Sequence, residues 1–441
     1  MLQRPRIITS FLLLTTRRFS LIGASTSLHT TTSEPSQSKL KLLQVQVVHR
    51  HGDRTPITPM RNTTFWKQTL PPPSTLQKLS EDIHTLRRSD DDATPHAAGG
   101  KGPFGQLTSL GLYQMVDLGG RLRAELLATP LFSASSRRLH PSRVRVTSTD
   151  FPRTLQSVTG LLVGLFPDKD PAAEKMTIDA RHTDIMIPDP QPRRTKEQEE
   201  LEKELASAVT DTEREKNMRD LAVRVSEVLR RNVLGDGAED VTFGVGEEKD
   251  GANNGVDEPL PWAQLAEITK CLKVRGMLPP EITAEDQDLI SSHAAWRWFE
   301  TLRHPRLARL AMHGMVEKMI DNAHEARTCA AAAVVGDDGA EEDGTADHPL
   351  LHIFSAHDST LIGLMCAFRL EQPAQWPEYG SYLKMELWEE SEGRHFVRFS
   401  LNGAVLRSYW GVGEGEDPVE MIDLERLIML IDGQDYEKEM R

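Results

Sequence analysis

Two strand-like runs in this chain each end abruptly in a cluster of ionisable residues, and any fold it adopts must account for both. Leu42 to Val48 is an apolar stretch that reads as a buried strand. It breaks into His49-Arg50-His51-Gly52-Asp53-Arg54-Thr55-Pro56, with Gly52 and Pro56 shaping a turn. Far along the chain, Leu350 to Ser355 regains strand character and delivers Ala356-His357-Asp358-Ser359-Thr360. In parallel α/β sheets, ligands bind beyond the carboxyl ends of the strands. A largely parallel sheet therefore lets the two clusters meet at one edge despite their separation.

The first cluster has the chemistry of an anion site. Guanidinium forks match the oxygens of a phosphate, and Arg50 and Arg54 flank His51. An imidazole that is neutral at Nε2 can attack phosphorus. Another reading makes His49-x-His51 a metal pair at a strand end, but two neighbouring arginines would oppose a dication. His49 then reads as a packed histidine, and His352 as a sheet histidine. Thr149 and Asp150 read as helix caps, and Arg143 and Arg145, alternating with valines, as outward-facing strand residues.

Between the clusters the pattern alternates. Gln106 to Leu127 reads as a helix with Leu112, Met115, Val116, Gly119, Leu122 and Leu126 on its core face. Val144 to Thr147 reads as a strand and Thr154 to Phe166 as a helix, so the class is α/β. Residues 84 to 105 read as an exposed loop. After Pro167 the chain becomes charged and helical, with acidic stretches at 234–259 and 330–348. Thr283-Ala284-Glu285-Asp286 is a helix-capping sequence, and Pro305 should interrupt the helix that carries Trp296, Trp298 and Phe299. Tyr382–Trp388 and His395–Leu401 read as strands, and Asn402-Gly403 as a hairpin turn. The organisation expected is an α/β core from 38–166 and 349–441 around a helical cap from 167 to 348.

Composition sets limits on partners. The formal charge of −14 argues against nucleic acid. Such a chain would also repel an anionic substrate unless its arginines were gathered in one pocket. Cys271, Cys329 and Cys366 are far apart, with no metal-like spacing, and lean towards a reducing compartment. No apolar run reaches the ~20 residues of a membrane-spanning helix. Residues 1–37 are rich in Arg, Ser, Thr and Leu, and the first acid is Glu34, which suits a mitochondrial transit peptide. A secretory signal with Ile7 to Leu14 as its apolar region is the rival reading.

Arg50-His51-Gly52-x-Arg54-x-Pro56 resembles the signature of the histidine acid phosphatases, and His357-Asp358 is similar to that family's distal motif. The resemblance spans roughly residues 41 to 400. Thr147 to Thr154 looks like the segment that supplies a third phosphate-binding arginine in that family, here Arg153. Pro152 departs from the pattern, although proline suits a helix's first turn. The resemblance implies a three-layer core and His51 as nucleophile. Arg50, Arg54, Arg153 and His357 would bind the phosphoryl group, and Asp358 would be the proton donor, with no metal or other cofactor.

The nearest branch is that of the lysophosphatidic acid phosphatases. The likeness lies in Trp66, in Gly105 to Thr108 with the helix after it, in Leu161 to Phe166, and in Trp376-Pro377 with Lys384 to Leu387. It implies a helical cap over the site and a lysophospholipid as substrate; of the aromatic and methionine residues in Trp296 to Ile320 most read as core, and the remainder as the lining of an acyl channel. A broad or phytase-like acid phosphatase is the alternative, and an inactive phosphate- or lipid-binding protein is the reading from another class. A monomer is expected.

Overall fold

The computed structural model describes residues 40–87, 102–133, 139–167, 175–181, 185–188, 195–238, 258–335, 348–373, 375–410 and 417–432. The presequence expected over 1–37 lies outside these residues, as does most of each acidic stretch.

The strands are β1 (Leu40–Arg50), β2 (Ile83–Arg87), β3 (Val144–Thr149), β4 (Met176–Arg181), β5 (Leu351–Ala356), β6 (Tyr382–Glu390), β7 (His395–Leu401), β8 (Ala404–Leu406) and β9 (Met421–Asp423). The first helices are α1 (Thr63–Gln68), α2 (Pro73–Ser80), α3 (Ser109–Leu127), α4 (Pro130–Ser133), α5 (Pro152–Leu165) and α6 (Lys196–Thr210). Then follow α7 (Glu213–Asn232), α8 (Trp262–Val274), α9 (Ala284–Leu302), α10 (Pro305–Val335), α11 (Asp358–Ala367) and α12 (Leu424–Asp432).

All nine described strands form one sheet. Five of them, in the order β2-β4-β3-β5-β1, are parallel, and β6 to β9 extend the sheet antiparallel from β1. Asn402 and Gly403 both have positive φ, 50° and 87°, as the tight turn between β7 and β8 requires. The β1 side chains alternate. Val45 and Val47 pack with α3 and α5 on one face, while Val48 joins α10 and α11 on the other. The result is the three-layer α/β/α core that the family resemblance implied.

The layer formed by α3 and α5 is unusually close. A Cβ on Gly119 would come to 2.0 Å from the Leu161 carbonyl oxygen, and one on Gly164 to 1.9 Å from that of Val116. Only glycine lets the two helix backbones approach this far.

Three sequence expectations need correction. The stretch 84–105 is not all loop: Ile83–Arg87 pairs with β4, because a short edge strand with half-exposed residues leaves no apolar run to recognise. The cap does not fill 167–348, since β4 belongs to the sheet and α10 packs on it through Leu307, Met312, Met315 and Met319. The helical unit with its own apolar centre is built from α7, α8 and the first half of α9, with Met60, Trp66 and Phe104. Lastly, Ala330–Val335 continues α10 rather than belonging to the acidic stretch at 330–348.

Two local predictions hold. Thr283 and Asp286 form a reciprocal capping box at α9, and α9 ends at Leu302 before Pro305 opens α10.

Candidate active site

Register brings the two clusters together. In the parallel β1–β5 ladder Arg50 sits opposite Ala356, so the next residues, His51 and His357, leave the sheet side by side. Their ring centroids are 5.7 Å apart, edge to face. The β3–β5 ladder pairs Ser148 with Ser355, which brings Thr149 to the same edge, with its Oγ1 3.0 Å from His357 Nε2. Thr149 donates its own proton to Thr154 Oγ1, so His357 Nε2–H is assigned as the donor in that contact.

The loop after β1 is fixed by main chain. His51 N–H donates to the Ala356 carbonyl, Gly380 N–H to the His51 carbonyl, and Gly52 N–H to Ser157 Oγ of α5. Gly52 and Gly111 touch backbone to backbone: a Cβ on Gly111 would lie 2.0 Å from the Asp53 carbonyl oxygen. Thr108 caps α3 and also donates to Asp53 Oδ2. Arg275 Nη2, 2.7 Å from the same Oδ2, ties the loop to the end of α8.

His51 is buried, and its Nδ1–H donates to the Gly52 carbonyl at 2.8 Å, which leaves Nε2 with its lone pair. Burial first, then the charges of Arg153, Arg50, Arg54 and His357, hold its pKa well below that of an ordinary histidine, so it stays neutral in mild acid. Burial and Arg153 lower His357 in the same way, against the pull of Asp358.

The three arginines are buried but differently engaged. Arg50 Nη2 lies 2.7 Å from Asp358 Oδ2, and its Nη1 donates to the Pro377 carbonyl at 2.5 Å. Its guanidinium stacks 4.2 Å from the Tyr379 ring. Arg54 Nη1 lies 2.6 Å from Glu267 Oε1, which also accepts the Ile57 N–H. Arg153, set on the first turn of α5 by Pro152, lies 4.5 Å from the Phe151 ring, and its Nε and Nη1 are buried with no hydrogen-bond partner. Burial and repulsion from Arg54 and Arg50, only partly offset by Asp358, push its pKa down to about 9. A buried cation left in this condition is costly unless an anion completes it.

Asp358 accepts from Arg50 and from Trp376 Nε1, both on Oδ2 at 2.7 Å, and from Ser359 N–H on Oδ1 at 3.0 Å. Burial would raise its pKa, but Arg50, the indole and Arg54 outweigh burial and hold the carboxyl below its usual range.

The structure thus gathers Arg50, His51, Arg54, Arg153, His357 and Asp358 in one cluster. His49 is buried, with Nδ1 3.1 Å from the Arg50 carbonyl oxygen, and burial lowers its pKa to about 4. His352 is likewise a buried sheet histidine. Sequence reasoning missed Glu267, the Asp53–Arg275 pair and Tyr379, and it quoted Trp376 without a role. Glu267 sits between Leu265 and Ile268 on a helix, where a single carboxylate looks like an ordinary solvated residue.

The histidine phosphatase superfamily (branch 2) model matches residues 41–237 and 303–402, and the chain belongs to that family. Over 432 residues it is 27% identical to counting factor 60 of Dictyostelium discoideum, covering 91% of this chain and 90% of that one. It is 32% identical over 159 residues to lysophosphatidic acid phosphatase type 6 of Bos taurus, covering 34% of this chain and 37% of that one. Among solved structures, the apo phytase of Hafnia alvei superposes with a TM-score of 0.57 at 15% identity, over 90% of this chain and 98% of the other. That likeness is one of fold.

Proposed function

We propose that this phosphatase hydrolyses a single-phosphate monoester carrying an apolar tail, of the lysophosphatidic acid type, through a phosphohistidine at His51. The observation that carries the phosphate reading is Arg153, a buried guanidinium whose Nε and Nη1 have no hydrogen-bond partner, facing the same site as Arg50 and Arg54. His51 Nε2 forms a bond to phosphorus as the bond to the leaving oxygen breaks, and Asp358 gives that oxygen its proton. Water then attacks phosphorus, Asp358 takes its proton, and the N–P electron pair returns to Nε2. The arginines spread the phosphoryl charge, and His357 joins them by turning its Nε2–H from Thr149 to a phosphoryl oxygen. Asp358 is ionised in the free protein, so the proton enters with substrate, when phosphate draws on Arg50.

The apolar tail rests on the surroundings of Asp358. Phe151, Tyr379, Trp376 and Trp298 stand around the cluster, with Trp298 and Trp376 in edge-to-face contact at 5.5 Å. The cations of α8 and its C-terminal end are already paired: Arg275 with Asp53, Lys270 with Glu378, and Lys273 with Asp288. Such a rim offers little to further phosphates of a polyphosphorylated substrate. Within Trp296 to Ile320 most apolar residues, Phe299, Met312, Met315 and Met319 among them, are core as expected, which leaves Trp298, in contact with Trp376, for the tail. Comparing kcat/KM for lysophosphatidic acids of increasing chain length with glycerol 3-phosphate tests the tail. Each methylene buried should add up to about 0.8 kcal/mol. A flat series returns the protein to broad acid phosphatase activity.

A further inference from the structure

We propose that Trp376 is a positioning residue for the proton donor: its indole N–H fixes Asp358 Oδ2 and sets the pH above which the bound enzyme can no longer protonate the leaving group. This rests on the reading of Asp358 as proton donor.

Geometry separates Trp376 from the other groups around the carboxylate. Asp358 is faced by Arg50 from β1, Arg54 from the loop after it, Arg153 from α5 and its own neighbour His357. All four face the phosphate position as well, so a bound phosphoryl group shares them and weakens their hold on Asp358. Tyr379, stacked on Arg50, is a phenol whose pKa burial raises, so it stays uncharged. The Trp376 N–H is different. It is neutral, it lies 2.7 Å from Oδ2, and its single donor is already spent on that oxygen. With Arg50 also on Oδ2, that oxygen has both acceptor positions filled and cannot carry a proton. Once phosphate engages Arg50, one position opens while the indole keeps the other. The carboxyl is then free to take a proton on the oxygen that Trp376 holds in place.

The indole is braced for this. Trp298 of α9 meets it edge to face, and the adjacent Pro377 carbonyl holds Arg50 Nη1. One short segment therefore carries contacts to both members of the Arg50–Asp358 pair. A donor to a carboxylate favours the ionised form. Removing it should raise the proton affinity of Asp358 in the complex and move the pH ceiling upward.

The test is the pre-steady-state rate of enzyme phosphorylation against pH, at saturating glycerol 3-phosphate and at saturating p-nitrophenyl phosphate. Trp376→Phe removes the donor. Replacement of Trp376 by 3-benzothienylalanine, with sulfur in place of N–H, removes it while keeping the ring shape and the contact with Trp298. For glycerol 3-phosphate both variants should shift the alkaline fall in rate upward by about one pH unit. For p-nitrophenyl phosphate, whose leaving group scarcely needs a proton, the fall should stay in place. Asp358→Asn is run alongside. Equal slowing of the two substrates by Asp358→Asn overturns the donor reading and this inference with it. Selective slowing by Asp358→Asn, with an unmoved fall in both Trp376 variants, overturns this inference alone.

Discussion

On the sheet side of the site, backbone does the positioning; on the cap side, side chains do. His51 and Arg50 are held through main-chain bonds to Ala356, Gly380 and Ser381, and through strand register with β5. Opposite them, Glu267 and Arg275 of the α8 region reach in to Arg54 and Asp53, while Trp376 reaches in to Asp358. Backbone contacts fix where a residue leaves the sheet. Side-chain contacts adjust how a charge is oriented and how strongly it is held. The sheet side should therefore govern whether chemistry occurs, and the cap side how well and at what pH.

The largest break in that comparison should come from the sheet side. Arg153→Ala removes the site arginine whose buried Nε and Nη1 have no hydrogen-bond partner, and kcat/KM should fall roughly 10²- to 10³-fold. Circular dichroism and thermal melting should show an intact fold, since no hydrogen bond of the free protein is lost at Nε or Nη1. A loss under tenfold would mean Arg153 lies outside the phosphate's reach.

A cap-side change should act more mildly. Glu267→Gln keeps an acceptor for Arg54 Nη1 and Ile57 N–H but removes the charge, so kcat/KM should fall about tenfold. Loss of the same size as for Arg153→Ala would erase the distinction between the two sides.

The smallest effect is on pH. His51 and His357 both lie well below the ordinary histidine value of 6.5, so both stay neutral as pH falls through it. A group with a lowered pKa gains its proton only when pH drops through the lowered value. The acid limb of kcat/KM should therefore lie well under 6.5, and a limb at 6.5 would show that the arginines and burial do not act on His51 as described.

The division between the two sides also explains what could be read from the sequence. Arg50, His51 and Arg54 lie within five residues at the end of one strand, and His357-Asp358 follows another, so local pattern exposes them. Arg153 was legible through the family resemblance of Thr147 to Thr154, and Pro152, the departure from that pattern, sits on the first turn of α5 and leaves it in place. Glu267 and Tyr379 belong to segments whose own patterns are those of a helix and a connecting turn. Only the packing of α8 and the 375–380 segment over the sheet edge gives them a task. The helices of the core were similarly clear from periodicity, whereas β2 and β4 were not. They are short, and their neighbours in the sheet, not their own sequences, make them strands.

The most direct measurement is rapid quenching of the protein during turnover of a phosphomonoester under neutral or alkaline conditions, which preserve phosphohistidine. Mass spectrometry of the peptide containing residues 49–56 then locates the phosphate. The phosphate should be on His51, at Nε2, and should be absent in His51→Ala, whose turnover should fall by roughly 10⁴-fold or more. Phosphate on another residue, or substantial turnover by His51→Ala, would contradict the account.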